Sequence, residues 1–360
     1  MIEYKRPFSK ETTNITKGIL IILMLIHHLF SDDVIENMGL IPVCDDVVFR
    51  THFILYLRII LACFAFLSAF GIARGYKGKE ISPELCLKKT AGRLISLFSM
   101  MLPIYVLAIL YMRFVRGEHV KLLYVGAEGK FSLVYMLADM FGLSSYFGRT
   151  GFNITWWYLS YAFLLIVAAP LMVELYKKYR YAVLMPAMVL PVVLFKSDVH
   201  FAVLLPTAML GIAFAWEDWF EKIHNYIHDG EKKVVKILGF ALITILFYVV
   251  SWFAVIDLDM TYFFPMTIVF AFVAYEYVSY TRILKTVLRF LGENCTNIFL
   301  THTLIYYYWY QDFIYSFKYT VFIFLVLMGI SLAISVAMEL LKKFTGYNKL
   351  VKNIITRITG

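Results

Sequence analysis

The amino-acid sequence predicts an all-α, polytopic membrane helical bundle of about ten transmembrane helices, with the N- and C-termini cytoplasmic. Three observations carry this reading: the composition, a series of apolar runs, and the placement of Lys and Arg. Of 360 residues, 61% are hydrophobic, 18% aromatic and only 16% charged, and the mean hydropathy is +0.74. A soluble domain carries about 45–50% apolar and about 25% charged residues. A soluble enzyme, a disordered chain and a disulfide scaffold are thereby excluded. Cys63 and Cys295 lie in apolar runs and Cys44 and Cys86 in different loops, so no pair suggests a disulfide.

Apolar runs of about 15–23 residues, bounded by charges or turn residues, are what a membrane span requires. They fall at 18–30, 53–74, 94–113, 155–175, 181–195, 200–216, 235–256, 261–280, 290–310 and 318–340. Several are short and must borrow length from their flanks. The first has the basic start of a signal peptide but no small-residue cleavage site, and His27, His28, Asp32 and Asp33 follow it, so it reads as an uncleaved span. The stretch 131–147 is apolar too, but contains Asp139, Gly142 and serines.

Charge decides the topology. With 131–147 left outside as an interfacial or re-entrant piece, about three quarters of the 34 Lys and Arg residues fall in the cytoplasm. If it crosses, the later loops invert and the bias is largely lost. The net charge of +9 is therefore an orientation signal first, and no nucleic-acid partner is expected. Residues 1–360 read as a single integral-membrane domain with no appended soluble domain, since the longest loop, of about 40 residues, is too short for one.

Ionisable groups deep in a span are costly and are functional candidates by default. They are His27, His28, Arg58 and His302. At about 1.5 Å per helical residue, His28 lies roughly 16 Å beyond Lys17 and His302 roughly 19 Å beyond Arg289, which puts both near the midplane. Arg58 enters in the outer half. Asp32 is four residues beyond His28, so in a continuous helix it shares that face and can orient the imidazole as a third triad member does. Equally, Asp32 and Asp33 mark the end of the span in outer water. Arg58 can snorkel to headgroups, and His302 can serve helix–helix hydrogen bonding. No Cys/His metal spacing, Walker loop, dinucleotide fingerprint or G-x-S-x-G elbow is present, and no metal is expected.

Lys17 and His28, with ten residues between them, resemble the first-helix signature of the membrane acyltransferase family 3, in which Arg usually holds the first position. Three more segments match in order. Ala62–Tyr76 resembles the family's Phe-rich second-helix run, with Ala69 where Gly is usual. Trp156–Leu171 resembles its Trp-aromatic-Leu run followed by a proline, here Pro170. Leu291–His302 resembles its late Leu-Gly run ending in His, with Thr296 near the usual Ser and Phe299 for Tyr. Lys88, Lys89 and Arg93 correspond loosely to an Arg-rich segment before the third span.

The resemblance implies a cell-membrane enzyme that transfers an acyl group, often acetyl, from cytoplasmic acyl-CoA to a hydroxyl of a surface or lipid-linked carbohydrate. His28 would be the general base. Arg58 or the indole N–H groups of Trp156 and Trp157 would stabilise the thioester oxygen. Lys17, Arg74, Lys88, Lys89 and Arg93 would meet the CoA phosphates. Positive-inside bias and an aromatic belt also explain these cations and tryptophans. A transporter or flippase of a lipid-linked sugar or other amphiphile fits the span count equally well. A polysaccharide polymerase fits less well, because 114–154 is a modest external loop.

Overall fold

A computed structural model describes residues 7–126, 129–195, 204–254 and 266–360. Lys5, Arg6 and Lys196, and parts of the runs at 181–195, 200–216, 235–256 and 261–280 or their flanks, lie outside the described residues. Everything described is helix, turn or loop, and β-structure is confined to two isolated bridges among the described residues.

Among the described residues, helices of six residues or more run in the order α1 (Lys10–Leu29), α2 (Asp32–Asn37), α3 (Val47–Tyr56), α4 (Ile59–Tyr76), α5 (Pro83–Phe114), α6 (Leu133–Met140), α7 (Trp157–Tyr179), α8 (Tyr181–Phe195), α9 (Leu205–Glu217), α10 (Trp219–His228), α11 (Lys233–Ala254), α12 (Met266–Glu276), α13 (Arg282–Thr303), α14 (Thr320–Phe344) and α15 (Tyr347–Thr359). A π-helical turn, Leu304–Trp309, continues α13. Their starts are set by side-chain caps: Ser9, Ser31, Asp46, Ser82 and Ser132 each accept the backbone N–H three residues on. Pro83 adds a preformed φ at the first position of α5.

Among the described residues, six helical segments are long and apolar enough to cross a membrane: Lys10–Leu29, Val47–Tyr76, Pro83–Phe114, Ile154–Tyr179, Lys233–Val250 and Thr320–Phe344. They coincide with six of the sequence runs. The others are shorter or more charged. Within the described residues α8, α9 and α12 hold 15, 13 and 11 residues, against the roughly 20 that a full crossing takes. α13 is 22 residues long but carries Arg282, Lys285, Arg289 and Glu293. Residues 131–147 form α6, of eight residues, and a four-residue 3-10 turn, so no helix there is long enough to cross. On α11, Leu238, Leu242, Ile245, Leu246, Val249 and Val250 are 41–66% exposed. Such a stripe suits lipid and not water, and the chain is a multi-pass membrane protein.

The chain folds as two compact units: Met1–Glu80, Leu171–Cys295 and Lys318–Phe324 form the first, and Ile81–Pro170, Thr296–Phe317 and Leu325–Gly360 the second. In the first unit α4 packs along α9, and α1 contacts α3, α4 and α12. Close approach is allowed by glycine. A Cβ on Gly18 would lie 2.0 Å from the Leu288 carbonyl oxygen, and one on Gly292 would lie 1.8 Å from that of Asn14, so α1 and the first half of α13 touch backbone to backbone. In the second unit Met101, Tyr105, Trp156, Leu300, Leu304 and Met338 build the core, and α15 packs on α5.

Candidate functional site

Lys17 and His28 share α1, and both are half-buried. Eleven residues are close to three helical turns, so the two side chains leave the helix from nearly the same face about 16 Å apart. His27 stands beside His28 with ring centroids 5.1 Å apart. The His27 Nδ1–H donates to the Ile54 carbonyl at 3.0 Å and thereby pins α1 to α3. A carbonyl only accepts, so the bond fixes the His27 tautomer. Arg58 occupies the turn between α3 and α4, inside the long apolar segment Val47–Tyr76. Its side chain is exposed, and its charge reaches His27. His28, His27 and Arg58 thus belong to one neighbourhood of the first unit.

Asp32 departs from its expected geometry. α1 ends at Leu29, Phe30 leaves the helical region (φ −130°, ψ 61°), and Ser31 caps a new helix in which Asp32 is the first residue. The i, i+4 relation to His28 therefore does not hold. One Asp32 oxygen accepts from Arg50 Nε at 3.1 Å, and the other accepts from the Thr51 hydroxyl. Arg50 also donates to the Cys44 carbonyl at 2.9 Å. Arg50 is thus part of this neighbourhood. An apolar cleft of about 330 Å³ adjoins it, lined by Ile26, Phe30, Phe49, Phe53 and Ile54 with Arg50 as its charged member.

Arg74, expected to meet phosphate, is committed elsewhere. Its guanidinium donates to Asp218 at 2.5 Å and to the buried Glu221. Lys77 joins Asp218 at 2.6 Å, and the Phe8 N–H donates to Glu221 at 3.0 Å. The cluster ties the loop between α9 and α10 to the end of α4. A phosphate at Arg74 would have to displace two carboxylates.

His302, Trp156, Trp157, Lys88, Lys89 and Arg93 belong to the second unit. His302 is fully buried. Its Nδ1–H is shared between the Phe299 and Ile298 carbonyls at 2.8 and 3.1 Å. That leaves the Nε2 lone pair to accept from the Thr303 hydroxyl at 3.1 Å. Thr303 lies 3.2 Å from the Thr155 hydroxyl, which donates to Asn153 Oδ1 at 2.9 Å. The chain of hydroxyls sits where α13 passes into its π-turn, a distortion that often accompanies function. The Trp156 N–H donates to the Leu300 carbonyl at 3.1 Å, so it is not available to a thioester oxygen. Trp157 is half-buried, edge-on to Tyr158. Lys88 pairs with Glu84 at 2.9 Å. Lys89 and Arg93 are half-buried in the first turns of α5, where a Cβ on Gly92 would meet Thr359 of α15 at 3.0 Å.

A further polar centre in this unit, on Asp139, orders the segment between α5 and α7. The buried carboxylate accepts from Tyr124 at 2.7 Å, the Phe152 N–H at 2.7 Å and Ser144 at 3.0 Å. Gly151 is at φ +70°, and a Cβ there would fall 2.2 Å from the carboxylate. Burial pushes the Asp139 carboxyl above its ordinary range against these bonds. Asp139→Ala strands three buried donors and should cost about 3 kcal/mol. Asp139→Asn keeps an acceptor for Phe152, and the two hydroxyls can rotate, so it should cost under about half as much. Thermal unfolding in detergent measures both.

Long apolar helices with lipid-type faces define an integral-membrane protein, and the ionisable side chains among them are its functional candidates. A family model described as an acyltransferase domain matches residues 13–340, and the chain belongs to this membrane acyltransferase family 3. No curated protein and no solved structure matches the chain.

Proposed function

We propose that this membrane acyltransferase is an O-acyltransferase of the cell membrane. It moves an acyl group, most simply acetyl, from cytoplasmic acyl-CoA to a hydroxyl of a cell-surface or lipid-linked carbohydrate. The observation that carries the reading is the single-helix register of Lys17 and His28 beside His27, Arg58 and an apolar cleft. His28 removes the proton of the acceptor hydroxyl as its oxygen attacks the thioester carbonyl. A C–O bond forms, the C–S bond breaks, and the proton goes to the departing CoA sulfur. Arg58 faces the negative charge that develops on the carbonyl oxygen. Lys17, at the other end of the same helical face, meets CoA phosphate as a point charge. The topology that goes with this is ten spans with both termini cytoplasmic and 131–147 outside, the shorter helices lying in protein-lined rather than lipid-lined surroundings.

Acyl transfer demands a CoA site, whereas lipid-linked sugar transport demands two access states. Purified protein should bind acetyl-CoA saturably, with competition by CoA, and should acetylate a glycan acceptor. Absence of binding at about millimolar CoA, with movement of a lipid-linked glycan in proteoliposomes, would replace this reading with the transporter.

A further inference from the structure

His224 and His228 are four residues apart on α10, so their rings project from one face, one turn apart. The ring centroids are 4.3 Å apart. Glu276, the last residue of α12, reaches both. His224 Nδ1 is 2.6 Å from one carboxylate oxygen, and His228 Nε2 is 3.0 Å from the other. The three ligand-type atoms lie within 4.8 Å of one another. His224 and Glu276 are only 7% and 6% exposed, while His228 is half-buried. His224 is further held by Tyr275, whose ring lies 5.4 Å away. A cavity of about 180 Å³ opens at this point, bordered by His228, Glu276, Tyr277 and Tyr280.

The geometry points to a divalent transition-metal site of the zinc class, with His224 Nδ1, His228 Nε2 and a Glu276 oxygen as its protein ligands and a water from the cavity as the fourth. Two imidazoles and one carboxylate form the donor set of a borderline-soft ion. Bonds of about 2.0–2.1 Å place the ligand atoms of a tetrahedral ion about 3.3 Å apart. The two imidazole–carboxylate contacts, 2.6 Å to one Glu276 oxygen and 3.0 Å to the other, lie within about 0.7 Å of that separation, and all three ligand-type atoms are within 4.8 Å of one another. Without an ion, the two ring N–H groups donate to the carboxylate. On binding, each imidazole presents the lone pair of that nitrogen to the ion and carries its proton on the other ring nitrogen. The ligands come from two helices separated in sequence by α11, so the ion ties α10 to the end of α12. Since α12 packs against α1, the tie holds the partner of the helix that carries Lys17 and His28.

The test uses the full chain in detergent, purified without chelator. Metal analysis should find about one zinc per chain. The content should fall at least tenfold in His228→Ala and Glu276→Gln, and should be unchanged in His119→Ala, an exposed histidine elsewhere. Chelator-stripped wild-type protein should take up cobalt and show the visible bands of a four-coordinate ion. Zinc should raise its unfolding midpoint, since an ion bound only by the folded state stabilises it. Stripped, folded wild-type protein that binds neither zinc nor cobalt at micromolar concentration would overturn the proposal without reliance on any variant. Full metal content in His228→Ala would overturn it as well.

Discussion

His28→Ala should lower acyl transfer about 10²–10⁴-fold at matched membrane levels, the range that a positioned acid–base group contributes. The loss should fall on kcat, with the KM for acetyl-CoA nearly unchanged, since in the proposed mechanism the ring acts on the hydroxyl proton as the bond forms and does not hold the donor. Lys17→Ala should do the reverse and raise KM more than it lowers kcat, if the cation meets CoA phosphate about 16 Å away on the same helix. His27→Ala is the control on proximity: it frees the Ile54 carbonyl and loosens α1 from α3. Its loss should be smaller and partly recovered by His27→Asn, which can still donate to that carbonyl. Acetyl transfer to glycan, followed with labelled acetyl-CoA in membranes, measures all three. Undiminished transfer by His28→Ala would remove it from the chemistry.

The legible part of this site was the part that lies within one element. Lys17 and His28 belong to one helix, and helical periodicity alone aligns them. The same holds for the six long apolar helices, because length and hydropathy are local properties. The Asp32 relation failed for a local reason that was also in the sequence. Ser31-Asp32-Asp33 is an N-cap followed by two acids, and it starts a helix instead of ending one. α8 continues through Pro186 and Pro191, residues that an isolated helix would exclude from its interior.

What the sequence hid are partners from distant segments. Arg74 reads as a free cation until Asp218 and Glu221, 144 and 147 residues away, are brought to it. Asp139 reads as a polar interruption of an apolar stretch, yet it is the acceptor on which Tyr124, Ser144 and Phe152 converge. The four-residue spacing of His224 and His228 does not by itself read as a metal motif, because Glu276 stands 48 residues beyond His228 and only the packing of α10 near α12 joins them. Pattern reading finds donors in order along the chain, whereas polar clusters inside a helical bundle form across it.

Gly292→Ala should be the most destabilising single-methyl change among these helices. Its Cβ would lie 1.8 Å from the Asn14 carbonyl oxygen and 2.6 Å from the carbonyl carbon, so the obstacle is rigid backbone and not a side chain that can turn away. α1 and α13 must part, and overpacking of this kind costs about 1–3 kcal/mol or more. Gly18→Ala, 2.0 Å from the Leu288 carbonyl oxygen, should behave alike at the neighbouring contact. The sign is diagnostic, since Ala in a helix interior otherwise gains about 0.5–1 kcal/mol over Gly. Gly329→Ala on α14 and Gly239→Ala on α11 meet nothing within 4 Å and should melt at the wild-type temperature or above it. Thermal unfolding of the four purified variants separates these outcomes. α1 also carries Lys17 and His28, so Gly292→Ala should lose transfer activity in the fraction that remains folded. Equal melting temperatures across all four variants would mean that α1 and α13 are not in backbone contact.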